Sequence, residues 1–436
     1  MDRSLWAVMA GTFTLRFSTG LTGAMLGVYL AKLPEHGGPE VAATTLGLLS
    51  ASFFLSELVL SPAFGILSDR IGHHRVMLFG PVFGAIAVIL TGLTTNLVVL
   101  GGTRLLEGAS TAASVPSILG YIAIATATSE VLRGKAAARF EGATLAGIGV
   151  GIAAAPLLFA ALGPTAFFLN ALIYGVSFLI YRFGVADRDP EERAMAATAR
   201  KTSERSGWQR YRSIITNEYV LLLAPTWIAV NASIGIWFSQ SLFQFSKADP
   251  RFPDQFMLQG FSPIQISIAA VVIGLIFGAG LLWWGNRFKT LRRTTIIFYG
   301  ILGGGVMAFG VLAINHAAPD VLIVAAIGAL AGAVGLFVLA GATPAALGLL
   351  ADISERFPTD RGAIMGLYSV FLGIGQIVGS LIGGAAANWL GIDGLLFATV
   401  VLLLVALVPL AFLRREEHEV SGPESAPAFG GVEPTP

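Results

Sequence analysis

The 436-residue chain has no cysteine, so a disulfide framework and a thiolate metal site are both excluded. Charge is scarce: 12% of residues are charged, about half the share of a soluble domain. The net charge is only +1, which leaves no strong field to attract nucleic acid. Histidine is thin as well. There are five, only His73 and His74 are adjacent, and His36, His316 and His418 fall in outer loops or the tail. The chain contains no Gly-x-x-x-x-Gly-Lys-Ser/Thr phosphate loop, no Gly-x-Ser-x-Gly elbow and no His-Glu-x-x-His pair. Each of those motifs carries a specific chemistry, so no enzyme activity, resident cofactor or metal is expected. Alternating segments of a membrane barrel are missing too.

Apolar residues are abundant instead, at 55%, with a mean hydropathy of +0.76. A chain of this length cannot hide so much apolar surface from its surroundings, so the expected solvent is lipid. About 20 mostly apolar residues cross a bilayer as a helix. Twelve spans are expected, at 5–31, 44–67, 75–95, 97–127, 139–162, 165–184, 219–245, 264–285, 294–315, 320–350, 361–387 and 391–413. The first stretch lacks a small-residue cleavage site and is expected to remain as span 1.

Lys and Arg placement sets the direction. With both termini cytoplasmic, the inside segments hold 22 of the 27 basic residues. The outside loops hold Lys32, Lys247 and Arg251, while Arg16 and Arg104 fall within spans. The expectation is an all-α, multi-pass protein of the cell (inner) membrane, monomeric, with a small-molecule substrate and the bilayer as its partners.

Residues 1–184 form one expected six-helix bundle and 218–413 the other. A cytoplasmic linker, 185–217, separates them. Trp208, Tyr211, Ile214 and Ile215 interleave there with Arg210 and Arg212. Either a short interfacial helix or a solvated linker fits that pattern. The polar tail 414–436 has a disordered composition. The halves also echo one another. An offset of 228 aligns Pro116 with Pro344, Gly120 with Gly348, Arg133-Gly134 with Arg361-Gly362, Gly147 with Gly375 and Gly151 with Gly379. Internal duplication marks many transporters.

The loop after span 2 reads Gly65-Ile66-Leu67-Ser68-Asp69-Arg70-Ile71-Gly72-His73-His74-Arg75. It resembles the signature loop of the major facilitator superfamily, Gly-x-x-x-Asp-Arg-x-Gly before a basic run. His73-His74 depart from that pattern, and Arg75 restores one charge. Asp69 is placed to accept hydrogen bonds from a helix end or an Arg, a latch on the cytoplasmic side. Gly65, Asp69, Arg70, Gly72 and Arg75 make up this candidate latch, and a plain charged stop is the alternative. The second half carries a decayed copy, Gly285-Asn286-Arg287 and then Arg292-Arg293.

Two further segments are similar to motifs of the same superfamily. In span 4, Arg104 precedes Gly108 by four residues and Glu107 by one helix turn. The resemblance implies proton coupling or bracing; a self-neutralising pair is the other reading. In span 5, Gly142, Gly151, Ala155 and Pro156 resemble the antiporter motif, with Ala155 in place of a Gly and Phe159-Ala160 in place of a trailing Gly-Gly. Small residues there would pack span 5 closely on the other half.

Charge at membrane depth is costly, so it usually faces a cavity or a partner. Arg16 in span 1 and Glu57 in span 2 can pair, either as a coupling device that proton and substrate neutralise in turn or as a static buried pair. Glu141, beside Arg139, reads as interfacial. The second half offers amides instead: Asn231, Gln240, Gln244 and Gln376, among Trp227, Trp237, Phe238 and Phe243. They can line a pathway or bond between helices.

Together these readings predict a secondary transporter working by alternating access. The expected activity is proton-coupled efflux of a small apolar or amphipathic solute, drug-like or lipid-like, driven by the proton gradient. Uptake or facilitated transport of a nutrient, movement of lysolipid or glycolipid between leaflets, and a non-transporting scaffold are the rivals.

Overall fold

Lipid offers backbone N–H and C=O groups no partner, so each apolar stretch satisfies them internally as a helix. The computed structural model describes residues 2–127, 129–187, 218–317, 322–355 and 361–420. Among the described residues no strand forms beyond an isolated bridge between Ala248 and Gln259. The first half comprises α1 (Arg3–Ala31), α2 (Ala43–Ile71), α3 (His73–Met77), α4 (Phe79–Gly92), α5 (Leu97–Ala125), α6 (Glu130–Leu162) and α7 (Ala166–Gly184). The second comprises α8 (Glu218–Ser246), α9 (Pro263–Gly285), α10 (Arg293–Asn315), α11 (Leu322–Leu339), α12 (Ala342–Glu355) and α13 (Arg361–Val420).

Polar caps start the helices where the sequence leaves lipid. Asp2 accepts from the Leu5 N–H at 2.8 Å, Asn96 accepts from Val98 and Val99, and Ser262 with Gln265 forms a capping box on α9. Among the described residues, nine stretches are long and apolar enough to cross a membrane. Two of them, Val131–Gly184 and Ser369–Arg415, hold two helices each, and the 29-residue α1 completes the expected twelve spans.

Several boundaries move. Span 3 is α3 followed by α4, and span 10 breaks at Ala340-Gly341 into α11 and α12. A Cβ at Gly341 would lie 2.6 Å from the Trp284 ring, so only Gly lets the chain pass there. Span 5 begins at Glu130, nine residues before the expected 139, because Ser129 caps it. The last helix continues to Val420. Residues 188–217 of the expected linker, with Trp208, Tyr211, Ile214 and Ile215, and residues 421–436 of the tail lie outside the described residues.

The duplication read from the sequence is present in space. In the first half, Gly147 and Gly151 of α6 lie against the backbone of α1, where added Cβ atoms would strike the Phe13 and Phe17 carbonyls. In the second, Gly375 and Gly379 of α13 lie the same way against α8, at the Ile228 and Ala232 carbonyls. The 228 offset also matches the two interhelix turns, Gly163 (φ 57°, ψ −143°) and Gly391 (φ 63°, ψ −136°). A side chain is excluded from that backbone region, so glycine ends the fifth helix and starts the sixth in both halves.

The start of α1 lies beside the end of α7, where Ser4 Oγ accepts from the Ala186 N–H at 3.1 Å, and the face at which these helix ends lie is called the basic face below. The halves meet tightly at the opposite face. There Gly47 of α2 packs against the Ser380 carbonyl of α13, and a Cβ at Gly384 would lie 2.8 Å from the Ala43 carbonyl. Gln240 of α8 donates to that same Ala43 carbonyl at 3.2 Å. Gln255, from the loop between α8 and α9, clamps the Gly391 turn by donating to Leu390 O at 2.9 Å and accepting from Ile392 N at 2.8 Å.

This bare-backbone seam is breakable by volume. Gly47→Leu is expected to overpack it by about 1–3 kcal/mol and to shift the population toward an opening at the opposite face. Spin labels on cysteines placed at Glu35 and Pro253, one in each half, report it, and the absence of native cysteine keeps the labelling specific. A distance distribution unchanged by Gly47→Leu would refute the seam as a gate.

Candidate functional site

The intramembrane charges separate by depth. At 1.5 Å per residue, Arg16 lies about 20 Å along α1 from its basic-face end. Glu57 lies about 21 Å from the corresponding end of α2, and Glu141 about 16 Å along α6. These three residues share a level near mid-membrane. Arg16 is within electrostatic reach of both Glu57 and Glu141. Among the described residues it makes no ion pair within 4 Å with either carboxylate. Arg16 and Glu57 are half-buried and Glu141 is exposed. The trio is therefore less enclosed than the second charged pair of this half.

Glu141 is a correction. The sequence reads it as an interfacial residue beside Arg139, but span 5 starts early and carries Glu141 deep. Arg139 instead turns to the membrane surface, its guanidinium 4.8 Å from the Trp6 ring centroid. Helix numbering from the Ser129 cap would have found the carboxylate.

Arg104 and Glu107 behave differently. Arg104 is 7% exposed and Glu107 3%, and they are ion-paired with each other. The Phe53 ring covers the guanidinium at 4.9 Å. Among the described residues, Arg104 Nε and Glu107 Oε1 have no hydrogen-bond partner. The pair sits nearer the opposite face than Glu57, behind the α2–α5 contact. That contact is made by Gly108, where a Cβ would strike the Phe53 carbonyl, and by Ser56 Oγ donating to Leu105 O at 2.6 Å. Tyr174 of α7, 1% exposed, lies within electrostatic reach of Arg104 and of Arg16, and its hydroxyl is 3.5 Å from Thr19 Oγ1. Sequence reading missed Tyr174. Its only signal was the two-turn spacing to Tyr181 on the same helix, and each ring fills a glycine notch, at Gly84 and Gly11.

The amides of the second half do not join this group. Asn231 donates back to its own helix at Trp227 O, 2.8 Å, and Gln240 serves the seam. Gln244 is buried near the opposite-face end of α8, and Gln376 is buried against Gly235. Asn231 and Gln376 lie at the close α8–α13 crossing, where Gly375 meets Asn231 and Gly235 meets Gln376.

The loop residues sit at the basic face. Gly72 ends α2 at φ 103°, and Gly65 faces Pro116 at an ordinary distance. Arg70 and Arg75 are exposed. Asp69 is 73% exposed at its side chain, and its ionic contact is with His73 at 3.8 Å rather than with the second half. The two histidines that break the expected pattern are buried. His73 lies against Gly120 of α5, and His74 bonds the Tyr181 carbonyl at 2.9 Å. They tie the loop to its own half.

The span 5 motif also lands differently. Gly151 packs on α1 of the same half, Gly142 faces open space, and Ala155 is buried. Pro156, with Phe159 and Ala160, meets Ser246, Phe261 and Pro263 across the halves. Close approach to the other half is thus confined to the opposite-face end.

Two bundles of membrane-length helices around buried and half-buried charges are the architecture of a membrane transporter. A family model, the Major Facilitator Superfamily, matches residues 8–338 and 243–434, and the chain belongs to that superfamily. It is 25% identical over 399 residues to the quinolone resistance protein NorA of Staphylococcus aureus (strain MSSA476), covering 88% of this chain and 90% of that protein. It is 24% identical over 362 residues to multidrug resistance protein 2 of Bacillus subtilis (strain 168), covering 79% and 80%. The crystal structure of the nucleoside transporter NupG superposes with a TM-score of 0.69 at 14% identity, covering 95% of this chain and 99% of that one, a likeness of fold.

The dry pair yields a thermodynamic prediction. Arg104→Met or Glu107→Met alone is expected to cost about 3–5 kcal/mol by stranding a buried charge, and the two together to recover most of it. Thermal unfolding of the purified protein measures this. Equal losses in the single and double variants would contradict a paired brace.

Proposed function

We propose that the chain is a proton-coupled exporter of a small apolar or amphipathic solute. The observation that carries the reading is the half-buried Arg16 within electrostatic reach of Glu57 and Glu141, two carboxylates for one cation. A proton or a substrate that neutralises one carboxylate changes which partner Arg16 prefers. Because Glu57 belongs to α2 and Glu141 to α6, that exchange acts on two helices that also contact the second half. The differential interaction with two states is what a coupled carrier needs.

Support also comes from the relatives named for quinolone and multidrug resistance, which cover most of their own length here. The scarcity of charge within the spans of the second half agrees with a solute of low polarity. On this reading the basic face is cytoplasmic, as the Lys and Arg distribution favours. The protein works as a monomer in the cell membrane, with the proton gradient as its energy source and no resident cofactor. The seam at Gly47, Gly384 and Gln240 then closes the outside, and exposed Asp69 is a latch released while the inner mouth is open.

The test is transport in liposomes. With an imposed pH gradient, the purified protein is expected to move a fluorescent amphipathic dye. Glu57→Gln and Glu141→Gln should each reduce gradient-driven movement to the level of empty liposomes. An unchanged gradient response in Glu57→Gln would remove Glu57 from the coupling role.

A further inference from the structure

We infer that the solute enters from the bilayer, through a window between α6 and α9, and that it is an amphipathic cation whose charge meets Glu141 there. The inference rests on the exporter reading above and adds to it a route and a solute charge. α6 and α9 belong to different halves and touch near the opposite face. Pro156, Phe159 and Ala160 of α6 meet Pro263 and Ile266 of α9 around one small pocket. Phe159 is 4% exposed and Ile266 5%. Toward the basic face this contact is lost. On the stripe of α6 that continues from Phe159 at steps of three or four residues, Ile152 is half-buried, while Gly149, Leu145 and Glu141 are exposed. A Cβ at Gly149, or at Gly274 or Gly278 of α9, would have nothing within 4 Å.

The gap reaches the lipid side. Each residue turns an α-helix by about 100°, so five in a row look in every direction. Val271, Val272, Ile273, Gly274 and Leu275 are all exposed, so among the described residues α9 is bare all round at their level. That level is about 15–21 Å along α9 from Gly285, the depth of Glu141 on α6. Nearer the basic face α9 is held again, by Gly280 against the Phe337 backbone and by the Trp284 N–H donating to Phe337 O at 3.1 Å. On α6, Glu141, Gly142, Leu145, Ala146, Gly149 and Val150 are exposed and form one unbroken half of the circumference. That half is turned away from the α1 contact, where a Cβ at Gly147 would lie 2.9 Å from Arg16 Cβ. Glu141 stands at one margin of the bare arc and Val150 at the other. The other seam between the halves differs at this depth, because Leu58 of α2 lies against Gly373 of α13, 3.6 Å from where a Cβ would stand. The way in is therefore one-sided.

The charge of the solute follows from the walls. Residues 140–162 and 263–285 together hold one charged side chain, Glu141. A solute that passes Leu145, Val271 and Leu275 keeps its apolar body in apolar surroundings throughout, so the hydrophobic effect does not oppose its entry. A charge at that depth is costly unless it finds a partner. A cation finds Glu141, whereas an anion finds no opposite charge on these two segments. Arg16 leaves room for the exchange, because Glu57 is also within its reach. A cation arriving at Glu141 displaces Arg16 toward Glu57, which is the change of partner that coupling requires.

Two measurements on the protein in nanodiscs test this. Bimane on Leu145→Cys and on Gly274→Cys should be quenched by brominated lipid as strongly as on Leu172→Cys, a position 68% exposed on α7. Quenching below half of that control overturns the window. Rhodamine 6G, a permanent amphipathic cation, then reports binding by fluorescence polarisation. Gly149→Leu with Gly274→Leu should slow its association and its dissociation together and leave Kd in place, because a narrowed route changes rates and not the equilibrium. Leu145→Trp repeats the narrowing should the glycine changes prevent folding. Glu141→Gln should weaken binding by about tenfold or more, as the loss of one charge contact implies, and Glu141→Asp should keep most of the affinity. Unchanged rates in the narrowed variants, unchanged affinity in Glu141→Gln, or no binding by wild type would each overturn the inference. Transport in liposomes is scored apart from these. Gradient-driven movement with unchanged binding rates sinks the window and spares the exporter reading, while slowed binding in the narrowed variants without gradient-driven movement in wild type supports the window and sinks the coupling.

Discussion

Backbone lying directly on backbone is the constraint from which the rest of this structure follows. Gly147 and Gly151 let α6 touch α1, and Gly375 and Gly379 let α13 touch α8. In lipid no hydrophobic effect presses helices together, so close approach must supply dispersion and weak polar contacts instead. These crossings make each half a stiff unit. The seam between halves uses the same device in miniature, at Gly47 and Gly384, with the single amide of Gln240 beside it. A joint built of a few bare contacts closes well and parts cheaply, as a rocking pair of bundles requires.

The charges divide along the same lines. Where helices of the first half press together, at the Ser56–Leu105 and Gly108 contacts, water is shut out and Arg104 and Glu107 satisfy mainly each other. On α1, α2 and α6, Arg16, Glu57 and Glu141 stand less enclosed and form no close ion pair with one another. The two sets of charge thus differ in enclosure, Arg104 with Glu107 closed in and Arg16 with Glu57 and Glu141 only partly so. Tyr174 connects the two levels, sitting within reach of both arginines.

The second half is built for contrast. It has amides and aromatics in its helix contacts and keeps its basic residues at the edge of the bilayer. Under the proposed export of an apolar solute, one half would carry the charge that changes and the other would offer surface without strong preference.

Much of this was legible from residue order alone. Composition and hydropathy determined the twelve helices, because lipid leaves the backbone no other option. Spacing exposed the duplication at Pro116, Gly147 and Gly151, since close crossings need glycine at the same register in each copy. The depth of Arg16 and Glu57 was readable for the same reason. What tertiary structure alone decided is which charges meet. Glu141 joined Arg16 only once the Ser129 cap had set the start of α6, and Arg104 was sealed only because Gly108 drew α2 over it. Asn231 and Gln376 were drawn into the close contact of α8 on α13. Periodicity locates a side chain along its own helix, whereas hydration depends on how far apart two helices stand, a distance that no single segment encodes.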